Sequence, residues 1–133
     1  MRAFDRWRAL RWHERALTLE AAALTVVATI SIRVQGAPRL LGPPDVPRRR
    51  RPIDDAGVRA AVAAVDRTSR YLAMSCLPRA LALRWMLARR GVATTLRLGA
   101  RREGDALLAH AWVEWNGVVL SDPEIVDRYA PLT

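Results

Sequence analysis

Three residues have the types and the chain order that do covalent chemistry together: Cys76, His110 and Asp122. Cys76 is the only cysteine in the 133 residues, and His110 is one of two histidines. A thiol beside an imidazole ionises to a thiolate–imidazolium pair, and a carboxylate behind the ring fixes its tautomer and orientation. Attack of that thiolate on a carbonyl carbon is the reaction such a trio supports. Each residue alone has a plainer reading. A lone cysteine is usually a small buried hydrophobe, a histidine on a half-buried strand is usually structural, and Asp-Pro after a strand marks a turn. The order nucleophile, base, orienter gives the three a joint meaning.

A helix has to present the thiol. After Ser75-Cys76-Leu77-Pro78, the residues Ala80, Leu81, Leu83, Trp85, Met86, Leu87 and Ala88 leave nearly every side apolar, which predicts a buried central helix. Pro78 sits in the first turn, where a missing N–H costs little, and Gly91 after Arg89-Arg90 is a stop signal. Cys76 then lies at the helix N-terminus, where unpaired N–H groups and the dipole favour thiolate. Upstream, Asp54 or Asp55 caps a helix to about Tyr71, with Val58, Ala61, Val62, Val65 and Leu72 as its apolar stripe.

Strands have to present the other two residues. After Gly91 the period changes to two, with Val92, Thr94, Leu96 and Leu98 on one side. Gly99 to Asp105 reads as a polar turn. A second strand from about Leu107 to Trp115 places Leu108, His110, Trp112 and Glu114 on one face, with Trp112 and Trp115 as packing residues and Glu114 at the rim. Asn116-Gly117 turns the chain, and Val118 to Ser121 returns toward Asp122. Helices followed by an antiparallel meander make an α+β domain.

The N-terminal part differs in kind. Residues 1–52 read as a helical region ending in a Pro/Arg-rich linker, Gly42 to Pro52 with Arg48–Arg51 inside it, and residues 53–133 as the domain carrying the chemistry. Ala21 to Ile32 is strongly apolar but shorter than the roughly 18–20 residues needed to span a bilayer, so a buried packing helix is expected and no membrane span. Trp7 and Trp12 are free to cover a neighbour or a partner, and His13 lies among arginines as an exposed residue. The formal charge is +9, carried by arginine alone because lysine is absent. No zinc finger or aromatic-basic motif accompanies that charge, so no nucleic-acid partner is expected. One cysteine excludes an internal disulfide and fits a reducing, cytoplasmic setting. Nothing in the spacing asks for a metal or cofactor.

Cys76-Leu-Pro-Arg-Ala-Leu-Ala-Leu-Arg-Trp-Met-Leu-Ala-Arg-Arg-Gly91, Ala109-His110-Ala111-Trp112-Val113-Glu114 and Ser121-Asp122-Pro123 together resemble the papain-like transglutaminase fold of cysteine peptidases. More narrowly they resemble the stand-alone leader peptidases of lasso-peptide biosynthesis, over about residues 54–133. The resemblance implies a central Cys-bearing helix packed on a small antiparallel sheet. It implies that Cys76 attacks the leader–core junction of a precursor peptide, His110 serves as acid then base, and Asp122 orients His110. It also implies two protein partners, a separate leader-binding recognition protein and a lasso cyclase. The backbone N–H of Cys76 is the first oxyanion donor expected.

Three functions compete on the residues: a leader peptidase, a catalytically idle scaffold of the same fold that binds peptide or partner, and an arginine-rich nucleic-acid binder. The triad also makes a demand on register. A two-residue loop at Asn116-Gly117 pairs Trp115 with Val118 and sets His110 and Asp122 on opposite faces. A three-residue loop pairs Glu114 with Val118 and sets them directly across, with Cβ atoms about 4.5–5.5 Å apart. Function therefore predicts the odd-length loop, although Asn-Gly by itself favours the even one.

Overall fold

A computed structural model describes residues 3–36, 53–72, 75–121 and 128–131. The described residues form helices α1 (Ala3–Ala9), α2 (Trp12–Gln35), α3 (Asp55–Tyr71) and α4 (Cys76–Arg89). They also form strands β1 (Thr95–Glu103), β2 (Ala106–Trp115), β3 (Val118–Val119) and β4 (Ala130–Pro131). The proline- and arginine-rich stretch, with Arg48–Arg51, lies outside them.

Local chemistry sets most boundaries. Asp54 accepts the Gly57 N–H at 2.9 Å, one of the donors that a helix start leaves open. Between α1 and α2 the Glu14 carboxylate accepts the Arg11 N–H at 3.0 Å. Gly91, at φ 79°, ends the last turn of α4 in a conformation that L side chains rarely adopt. The sheet is antiparallel, in the order β3-β2-β1-β4. Strand β1 is longer than its hydrophobic pattern: the ladder pairs Thr95 with Glu114 and continues to Glu103 opposite Ala106. Gly99 to Glu103, expected in a turn, are therefore strand, while Val92 and Thr94, expected in the strand, precede it; the turn is Gly104-Asp105 alone, with Gly104 at φ 61°. Partner hydrogen bonds stabilise a polar segment that period and propensity pass over. Strand β4, on the outer edge of β1, has no counterpart in the sequence pattern.

One apolar cluster joins α2, α3, α4 and the sheet. Ala21 and Ala28 of α2, Val58 and Ala61 of α3, Leu81, Leu83, Met86 and Leu87 of α4, and Leu96, Ala111 and Val113 of the sheet all belong to it. Residues of the N-terminal helical region thus share a core with residues 53–133. Ion pairs reinforce the seam between α2 and α4. The Arg90 guanidinium donates to Glu20 at 2.9 and 2.5 Å, and Arg89 donates to the same carboxylate at 2.9 Å. The Arg90 hydrogen bond holds the Glu20 carboxyl below its ordinary pKa; burial opposes this, and the positive charges of Arg90 and Arg89 add to it.

Helix α4 is enclosed as expected, with Pro78, Ala80 to Arg84 and Met86 to Ala88 all buried. Arg84 is buried with them, and burial lowers its guanidinium pKa. Helix α2 departs from the expectation of a buried helix. Its side bearing Thr18, Ala21, Thr25 and Ala28 is buried, while Leu19, Val26, Val27, Ile30 and Val34 are exposed. The core can enclose only one side of a helix lying at its margin. By length and composition α2 is also long enough to cross a membrane, but its Ala21/Ala28 side is built into the core of the domain.

Candidate active site

Cys76 is the first residue of α4 and is half-buried. With Pro78 at the third helical position, the N–H groups of Cys76 and Leu77 are the donors the helix start presents there. The thiol borders a narrow cleft walled by Val62, Val65 and Asp66 of α3, Arg79, Ala80 and Leu83 of α4, and Ala111 and Ser121 of the sheet region. Arg79 and Asp66 form an ion pair of 3.4 Å at this cleft. Sequence reasoning missed both; their signal was a charge on each of two otherwise apolar helix faces.

Strand β2 reaches the cleft through Ala111. Ala111 and Val113 belong to the apolar cluster with α4, and alternation along the strand sends His110, Trp112 and Glu114 to the other face. His110 is buried there, with its ring 5.9 Å from that of Trp112 and 5.1 Å from that of Tyr129. Consecutive Cα atoms lie about 3.8 Å apart, so His110 is one residue removed from the cleft wall.

The far face is a built polar–aromatic layer. Trp112 Nε1–H donates to one oxygen of Glu114 at 3.1 Å, and Arg97 Nε–H donates to the other at 3.2 Å. Glu114, expected as a rim residue, instead anchors the indole that packs by His110. Gly99, opposite His110 in the ladder, gives that indole its room: a Cβ there would stand 2.7 Å from the Trp112 ring and 2.9 Å from the Tyr129 Cβ. The Arg101 guanidinium lies 5.3 Å over the Tyr129 ring. Tyr129 was missed because its partners are remote in sequence.

The hairpin corrects the expected register. Trp115 pairs with Val118 and Glu114 with Val119, so the loop is the two-residue one. Asn116 at φ 50° and Gly117 at φ 78° are both left-handed, as a type I′ turn requires, and that twist matches the flanking strands. The ladder then gives way. Leu120 N–H still donates to the Val113 carbonyl at 2.8 Å, but the Val113 N–H goes to the Ser121 hydroxyl at 3.3 Å. Counting along a continuous ladder therefore does not locate the residue after Ser121, and Asp122 lies outside the described residues. The structure brings Cys76 to Ala111 and Ser121, and His110 to Trp112 and Tyr129. It does not place the third residue of the expected trio. Among the described residues no group of three or more His, Cys, Asp or Glu is arranged to hold a metal ion.

A family model described as the transglutaminase-like superfamily covers residues 21–133, which takes in α2 as well as the cysteine helix and the sheet. No curated protein and no solved structure matches the chain.

Proposed function

The chain belongs to the transglutaminase-like superfamily, which includes cysteine peptidases, and from that premise we propose that it removes the leader from a lasso-peptide precursor. The observation that carries this reading is the half-buried Cys76 at the start of an enclosed helix, on a cleft whose sheet wall is the residue next to His110. In the proposed reaction the Cys76 thiolate attacks the carbonyl carbon at the leader–core junction. The backbone N–H of Cys76 receives the oxyanion. His110 gives its proton to the leaving amine, then takes one from the water that hydrolyses the thioester, while Asp122 orients the ring. A separate recognition protein presents the leader, and a cyclase closes the ring afterwards.

A second reading, an idle scaffold that binds peptide, draws on a different observation: the His110 ring packs with Trp112 and Tyr129 on the face away from the α4 core. Cleavage assays separate the two. Precursor, chain and recognition protein together yield free leader, and Cys76→Ala abolishes the product while the far-ultraviolet spectrum is unchanged. His110→Ala lowers turnover by a similar factor, because members of a triad act as a unit. Undiminished cleavage by Cys76→Ala sinks the peptidase reading.

A further inference from the structure

We infer that the exposed side of α2 is a docking surface for anionic lipid bilayers, on which the helix lies in the plane of the interface. Leu19, Ala23, Val26, Val27, Ile30 and Val34 follow helical spacing along α2 and stand opposite the buried Thr18, Ala21, Thr25 and Ala28. Between Ala16 and Ile30 every exposed residue of the helix is apolar, a run of about four turns. Such a continuous apolar surface is uncommon on a chain that meets only water. At the Leu19 end the stripe borders a cavity of about 420 Å³ that is walled also by Trp7, Thr18, Ala22, Thr68, Tyr71 and Leu72.

Charge selects the occupant. The stripe carries no acidic residue, since Glu20 at its margin is held by Arg89 and Arg90. Arg33 is exposed at its C-terminal end, and Arg6, Arg8 and Arg11 are exposed beside its N-terminal end. Trp12, 79% exposed at the first position of α2, has the amphipathic ring favoured at headgroup level. A second copy fits poorly: antiparallel pairing of two stripes sets Arg33 of each against the other's N-terminal arginines, and each chain carries +9. A protein partner would seek hydrogen-bonding groups along the seam, and between Ala16 and Ile30 the exposed side chains of the stripe offer none. Aliphatic area flanked by basic residues and an interfacial tryptophan is what an in-plane amphipathic helix uses. The buried side, packed on α3 and α4, keeps the helix from leaving the domain to span the bilayer.

Vesicle flotation of the full chain tests this. The chain is expected to float with vesicles of equal parts phosphatidylglycerol and phosphatidylcholine, and much less with phosphatidylcholine alone. Added salt should reduce binding without abolishing it. Val26→Asp with Ile30→Asp should weaken partition about tenfold or more, with the thermal midpoint nearly unchanged because both positions are exposed. Val26→Ser with Ile30→Ser carries the same test should the aspartates disturb folding. Equal flotation of wild type and variants would overturn the inference in favour of arginines acting alone. A wild-type dimer in sedimentation that the substitutions dissociate would assign the stripe to a second copy. Absence of flotation, with stripe-dependent binding to the leader-recognition protein, would assign it to that partner. Each of these readouts is independent of whether Cys76 cleaves anything.

Discussion

Helices α2 and α4 look alike in composition and live in different surroundings. Both are rich in Ala and Leu, yet α4 is surrounded while α2 shows an apolar side to the outside. The α4 helix lies between α2, α3 and the sheet, so its Leu81, Leu83, Met86 and Leu87 are almost fully buried and even Arg84 is drawn in. The α2 helix has neighbours on one side only, and there the fully buried residues are small, Ala21, Ala28 and two threonines, with Leu17, Leu24 and Ile32 packed partly buried beside them. Thr25 returns its hydroxyl to the Ala21 carbonyl at 2.6 Å, so it can be buried without an unmet donor. Small residues let helices approach closely, while large aliphatics on the other side contribute nothing to this core. Burial therefore depends on position among neighbours as well as on how apolar a helix is.

The sharpest way to break that contrast is to truncate one side chain on each helix. Leu81→Ala on α4 should cost about 2–5 kcal/mol, whereas Ile30→Ala, at 56% exposure, should stay within about 0.5 kcal/mol. Urea unfolding of the two variants measures this, and equal losses would mean that the outer side of α2 is covered in solution.

Enlarging a residue at the close contact tests the same seam from the other direction. Ala28→Leu should destabilise by about 1–3 kcal/mol, because Ala28 is wholly buried where α2 meets its neighbours. Ala23→Leu, one turn away on the exposed side, should be nearly neutral. Thermal midpoints of the pair are the measurement.

A smaller effect is expected from the ion pairs that fasten α2 to α4. Glu20→Gln should lose about 1–2 kcal/mol at neutral pH by removing charge-assisted bonds to Arg90. The folded-state pKa of Glu20 lies below its unfolded value, so its contribution is complete above the unfolded pKa and fades as pH falls through the folded one. Wild type and variant should thus converge in stability as the pH drops below about 4. A gap that persists or widens in acid would show that charge is not what holds the seam.

Much of this molecule was legible in single residues and pairs of neighbours. Asp54 as a cap, Gly91 as a stop, Pro78 in a first turn, and strands around His110 follow from backbone chemistry acting over a few positions. The two-residue loop at Asn116-Gly117 was legible too. The His110–Asp122 contact of the expected trio asks for another register, and the left-handed preference of the turn residues prevails over it. What only the tertiary structure decided involves partners far apart in the chain. Gly99 belongs to a strand because β2 pairs with it, and it has no side chain because the Trp112 ring occupies that space. Glu114 became an anchor once Arg97 and Trp112 lay within its reach. The exposure of one side of α2 is of the same origin: its sequence makes both sides apolar, and the neighbours that cover one of them are encoded dozens of residues away.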